Sequence, residues 1–151
     1  MSERIAFDQL PETMVAALMA GENYVNSTGL EKRLLKLLRL YASQLNQCAY
    51  CIDMHFKEGM AAGIEPLNLY SLPVWRETDY YSEAEQAVLT LVEQITRIRE
   101  AHELEPVYEQ LTAFFSKDEI AQLMMAVSQA NTWNRIAKGI GMLPGRYQPA
   151  S

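Results

Sequence analysis

Apolar residues recur along this chain at helical spacing, and stretches that alternate apolar and polar positions are scarce. From Pro11, a favourable first-turn residue, Met14, Val15, Leu18 and Met19 share one helical face up to Gly21. Segment 23–29 then mixes polar residues with Tyr24 and Val25. Leucines at 30, 34, 35, 37, 38, 40 and 45 cover more than one face, which predicts a buried central helix or one shared with another subunit. Asn46 reads as the N-cap of a helix carrying 48–62, closed by Gly63. Glu65-Pro66 and Leu72-Pro73 interrupt a connecting stretch where Leu67, Leu69, Tyr70, Trp75, Tyr80 and Tyr81 are packing candidates.

Two capping boxes follow. Ser82 with Glu85 opens a helix that the pattern carries to about Arg99, with Ala84, Val88, Leu91, Val92 and Ile95 inward. A helical stretch over 104–115 tolerates Pro106 in its first turn. Ser116 with Glu119 opens the last long helix, whose stripe of Ile120, Leu123, Met124, Val127, Trp133, Ile136 and Ile140 has a period near 3.6. Gly139, Gly141, Pro144 and Gly145 end it. No internal repeat or linker interrupts the pattern, so the expectation is one all-α domain of six or seven helices over residues 1–151.

Composition changes this picture in two places. The net charge is −6, and no cluster of Lys and Arg with interleaved aromatics occurs, which sets nucleic acid aside as a partner. The first eight residues lack a basic start followed by an apolar run, and no stretch approaches 18 uncharged apolar residues. A protein with no membrane association, in the cytoplasm, is expected. A charged fraction of 21% is on the low side and hints at a surface partly given to subunit contacts.

Both cysteines lie within one turn, at Cys48-Ala49-Tyr50-Cys51, with His55 four residues on. In a reducing compartment, this spacing reads as catalytic or metal-binding rather than as a structural staple. On a helix Cys48, Cys51 and His55 would share a face. An imidazole beside a thiol lowers its pKa and raises the reactive thiolate fraction, so His55 is the candidate base. A helical C-x-x-C disulfide would also have to distort its turn. Neighbouring Cβ atoms stand about 5–6 Å apart and a disulfide needs about 3.8 Å. The expectation is a mildly destabilised oxidised form around 46–55.

Other readings of the same residues are open. Free cysteines are often small buried core residues. A zinc site would take Cys48, Cys51 and His55, but the fourth ligand would have to be His102 or a distant carboxylate, and the spacing fits no standard module. No metal and no cofactor is therefore expected. His102, near a helix boundary, reads as solvated.

The segment 37–55, LLRLYASQLNQCAYCIDMH, resembles the AhpD-like alkylhydroperoxidases of the carboxymuconolactone decarboxylase superfamily, with Ser43, Gln44, Asn46, Cys48, Cys51 and His55 in pattern. The likeness extends through Ala61-Ala62-Gly63, residues 72–78 and 82–85, and residues 131–136, roughly 15 to 140 in all. It implies an all-helical fold and homo-oligomers, trimers or hexamers, with helices packed between protomers. It also implies a peroxidase in which Cys51 attacks the peroxide and Cys48 resolves it, returned to the dithiol by a dihydrolipoamide-type or thioredoxin-like donor. Two positions depart. Lys36 stands where the fuller proton-relay pattern has a glutamate, and Tyr50 where some members have histidine. Lys36 either points at the thiols and favours thiolate by its charge, or snorkels to solvent. Two other outcomes compete with peroxide turnover: thiol–disulfide exchange or redox sensing by the same pair, which the missing glutamate favours, and a non-redox lyase of the decarboxylase type, against which the C-x-x-C argues.

Overall fold

A computed structural model describes residues 2–98 and 100–150. Among them seven α-helices form, with three short 3-10 turns and no strand: α1 Glu12–Ser27, α2 Lys32–Leu45, α3 Ala49–Ala61, α4 Pro66–Tyr70, α5 Glu83–Arg97, α6 Glu105–Thr112 and α7 Lys117–Ile140. The all-α expectation holds. Helix α2 is the central one: Leu34, Leu35, Leu37, Leu38, Leu40, Tyr41, Ala42 and Ser43 are all buried within this chain. It packs on α3, α5 and α7, so its multi-faced leucine pattern is satisfied by three neighbours rather than by one stripe.

Both capping boxes form. Ser82 Oγ accepts from the Glu85 N–H at 3.2 Å while Glu85 accepts from the Ser82 N–H at 2.9 Å. Ser116 and Glu119 repeat the arrangement at 3.2 and 2.8 Å. Helix α5 ends at Arg97, and the expected end at Arg99 lies outside the described residues.

Three boundaries differ from the sequence reading. Helix α1 runs past Gly21 to Ser27, because Gly21 sits under the Gln129 side chain of α7. A Cβ there would collide with Gln129 Oε1, and Gln129 Nε2 donates to the Leu18 carbonyl at 2.8 Å. Glycine at this position permits close approach of two helices rather than ending one. A 3-10 turn, Ala101–Leu104, precedes α6, and Pro106 occupies the first turn of α6 where no N–H is needed.

The third difference bears on the chemistry. Asn46 is the C-cap of α2, and the N-cap of α3 is Cys48, whose sulfur accepts from the Cys51 N–H at 3.4 Å. Gln47 lies between them at φ +52°. Its N–H donates to the Gln44 carbonyl at 3.1 Å, and the Cys48 N–H donates to the Ser43 carbonyl at 3.0 Å. These are the two bonds of a Schellman ending, with Gln47 in the left-handed position usually taken by glycine. One tight turn thus ends α2 and starts α3 at the cysteine.

Candidate active site

The turn that presents the cysteines is held by amides. Asn46 Nδ2 donates to Asn131 Oδ1 at 2.9 Å and to Asn134 Oδ1 at 2.8 Å, and Asn134 Nδ2 donates to Ser43 Oγ at 3.0 Å. Ser43 and Asn134 are fully buried, so this network ties the end of α2 to the middle of α7 with its polar groups satisfied. Packing and hydrogen bonding within the chain account for Asn134.

Cys48 and Cys51 are joined as a disulfide, with their Cα atoms 5.3 Å apart. Because Cys48 lies outside the helix at φ −90°, ψ 97°, closure leaves the first turn of α3 intact. The expectation that the bond must distort a helical turn is therefore corrected: both cysteines were placed inside the helix, and only Cys51 is. For the same reason Cys48, Cys51 and His55 do not all share a helical face. Cys51 and His55 do, four residues apart.

Three residues beyond His55 the same face carries Glu58. His55 Nδ1 lies 3.1 Å from Glu58 Oε2, and since an ionised carboxylate only accepts, Nδ1 carries the proton and Nε2 is left as the basic nitrogen. Lys36 Nζ donates to the same oxygen at 3.1 Å, and the Tyr147 hydroxyl donates to Glu58 Oε1 at 2.9 Å. Burial pushes the Glu58 carboxyl up, but the His55 hydrogen bond and charge, with Lys36 behind them, outweigh it and hold the pKa at about 2. Burial, then the bond to Glu58, pushes Tyr147 up to about 12, so its hydroxyl stays a donor. Lys36 accordingly faces the site rather than solvent. The carboxylate absent from its position on α2 is present on α3.

Cys51, His55, Glu58 and Lys36 border one cavity of about 390 Å³. Its remaining wall is largely apolar, with Met19, Met54, Trp133 and Met142, and Tyr50 also borders it. Burial pushes the Tyr50 phenol above its ordinary pKa. Arg39, also on the wall, is buried and neutralised by Glu22 Oε1 at 2.7 Å, and Trp133 Nε1 donates to Glu22 Oε2 at 3.1 Å. The cavity thus holds two cations, each paired with a carboxylate.

Residues 12–94 match the carboxymuconolactone decarboxylase family. The chain belongs to that family. Within the superfamily its likeness is to the AhpD-like proteins. A protein of unknown function from Agrobacterium tumefaciens, described as a candidate AhpD antioxidant defence protein, is 39% identical, with a TM-score of 0.91 over 97% of this chain and all of that one. The uncharacterised protein YdfG of Bacillus subtilis is 30% identical over 141 residues, 93% of this chain and 96% of that protein. A peroxidase-related protein with an AhpD core from Ralstonia eutropha shares the fold, at 22% identity and a TM-score of 0.77 over 89% of this chain and 72% of that one.

Sequence reasoning singled out Cys48, Cys51 and His55 and missed Glu58, which meets His55 here, and Tyr147, which meets Glu58. Glu58 was discoverable, since it completes the 51, 55, 58 row at helical spacing. Tyr147 had no local signal: it reaches the site because the tail after α7 folds back on α3, where the Gly145 N–H donates to Asp53 at 2.9 Å and Lys57 Nζ donates to the Tyr147 carbonyl at 3.0 Å. His102 is exposed on its 3-10 turn and borders no cavity described here. Among the described residues no group of three or more His, Cys, Asp or Glu is arranged to hold a metal, and no helix is long and apolar enough to cross a membrane.

Proposed function

We propose that the protein is a thiol-dependent peroxidase acting on organic hydroperoxides, with Cys51 peroxidatic, Cys48 resolving and His55 the base. The observation that carries this reading is the row Cys51, His55, Glu58 along one face of α3, opening on a mostly apolar cavity. A nucleophile, a base and a group that orients the base is the arrangement that activates a thiol. His55 Nε2 takes the Cys51 proton. The thiolate attacks the nearer peroxide oxygen, the O–O bond breaks, and the alkoxide leaves as alcohol on taking a proton from the His55 imidazolium. Cys51 is left as sulfenic acid, and the Cys48 thiolate displaces hydroxide from it, which leaves as water and gives the disulfide found here. Glu58, Lys36 and Tyr147 position the imidazole. A thiol donor then restores the dithiol. We place the protein in the cytoplasm as a homo-oligomer.

The test is consumption of cumene hydroperoxide with dithiothreitol by the wild type, Cys51→Ser and Cys48→Ser. Consumption lost in Cys51→Ser, with a sulfenic acid trapped on Cys51 in Cys48→Ser, supports the assignment. A fully reduced wild type that consumes no peroxide moves the protein to thiol–disulfide exchange or redox sensing.

A further inference from the structure

The two cysteines of the disulfide border different cavities. The 390 Å³ cavity is bordered by Cys51 and not Cys48. A second cavity, of about 220 Å³, is bordered by Cys48 and not Cys51, and lies between the N-terminal segment and the end of α7. Ala137, Tyr50 and Met142 touch both and form the partition.

The charges of the two cavities differ as well. On the Cys51 side Lys36 and Arg39 are paired with Glu58 and Glu22. On the Cys48 side the cations are Arg4 and Lys138. Arg4 donates through Nε to the Gly139 carbonyl at 2.9 Å and through Nη2 to the Lys138 carbonyl, and Lys138 Nζ donates to the Asn46 carbonyl at 2.9 Å. These bonds fix both cations without neutralising them. Neither pairs with a carboxylate among the described residues, and Glu3, which borders Arg4 in sequence, forms no ion pair there. The Arg4 and Ile5 N–H groups donate to the Ile140 carbonyl at 2.8 and 3.2 Å, holding the cationic segment against the end of α7.

We infer that the Cys48-side cavity is the entry site of the reductant, and that it takes a small thiol carrying carboxylate, drawn in by Arg4 and Lys138. This rests on the redox reading of the cysteine pair given above. The entering thiolate forms a bond to Cys48 Sγ, the Cys48–Cys51 bond breaks, and the electron pair leaves on Cys51 Sγ beside His55. A second thiolate attacks the sulfur of the bound thiol, releasing the oxidised reductant as its disulfide and Cys48 as thiolate. Two thiols lose two electrons in all and the protein disulfide gains them. Peroxide and reductant therefore use separate entrances, so the oxidised product of one half-reaction does not block the other.

The test is the reductive half-reaction alone, starting from the disulfide form, so that its outcome is independent of peroxide turnover. Reduction is timed with 3-mercaptopropionate, 2-mercaptoethanol and cysteamine, each rate divided by that thiol's thiolate fraction. The wild type should prefer the anionic thiol over the cationic one by about 10-fold or more at low salt, and this ratio, taken within each variant so that a general change in rate cancels, should shrink in Lys138→Glu and in Arg4→Glu. Rapid alkylation of the mixed disulfide followed by fragment mass mapping should find the thiol on Cys48 and the alkyl group on Cys51. An adduct on Cys51, or a charge preference unchanged in both variants, overturns the inference.

Discussion

Glu58 accepts hydrogen bonds from three side chains, and each gives a consequence at the scale of single residues. Glu58→Gln removes the negative charge that orients His55, and kcat/KM for cumene hydroperoxide should fall about 10-fold or more, read with fully reduced enzyme and an unchanged thiol count. The same carboxylate makes stability depend on acid. Its folded pKa, about 2, lies below the ordinary 4.5, so its contribution is complete above pH 4.5 and is lost as pH falls toward 2. Denaturant midpoints of the wild type should drop across that window more steeply than those of Glu58→Gln. Gln47 offers a test of opposite sign. It sits at φ +52°, where a side chain is strained and glycine is not. Gln47→Gly should raise stability by about 0.5–1 kcal/mol, since the relief of the left-handed strain exceeds glycine's added unfolded-chain entropy, measured by urea denaturation.

At the scale of elements, α3 starts from a cysteine, and this decides how the disulfide couples to the helix. With Cys48 already at the N-cap, closing the bond constrains a turn that is non-helical in any case. Amide exchange over 49–55 should therefore be nearly the same in the oxidised and reduced proteins, where a wholly helical C-x-x-C would show faster exchange on oxidation. Helix α5 is tied to α2 and to the turn Leu72–Glu77 through one carboxylate. Glu93 accepts from the Tyr41 hydroxyl at 2.5 Å and from Trp75 Nε1 at 3.1 Å, and Arg76 grips both its oxygens at 2.7 and 2.9 Å. Burial raises the Glu93 pKa, but Arg76, Tyr41 and Trp75 together hold it below the ordinary value. Burial and Glu93 push Tyr41 upward, so the phenol remains a donor. Glu93→Ala leaves two largely buried donors without their acceptor and should cost about 2 kcal/mol or more, read as a lower Tm. Trp75, a packing candidate in the sequence, and Arg76 thus clasp the turn Leu72–Glu77 to α5.

At the scale of the whole molecule, the outer surface carries apolar side chains that the chain itself does not cover. Leu67 and Tyr70 share one face of α4, and Val74 lies on the turn beyond it, at 41%, 59% and 51% exposure. In the homo-oligomer proposed above, contact between protomers would fall on this exposed apolar face. Light scattering should give a mass well above 17.2 kDa, and Tyr70→Glu combined with Val74→Glu should lower it.

The helices and their caps were legible because the signals that set them are local. Leucine spacing, Ser-x-x-Glu boxes and prolines act within a turn or two, so α2, α5 and α7 could be read from neighbours in sequence. The cysteine pair and His55 were legible for the same reason. The helix boundary at Cys48 was not, since Asn46 and Cys48 compete for the cap, and Asn46 is drawn off by Asn131 and Asn134, more than 80 residues away along the chain. Nor could spacing reveal the partner of Lys36, which depends on how α2 and α3 cross. By itself the sequence determined the helical class and the spacing that sets an imidazole one turn beyond the C-x-x-C, because each follows from residues a few positions apart. The tertiary structure alone decided that Glu58 meets both His55 and Lys36, that Tyr147 returns from the tail to join them, and that the two cysteines border different cavities. Each of these rests on segments far apart in the chain meeting in space, which only the packing of the helices arranges.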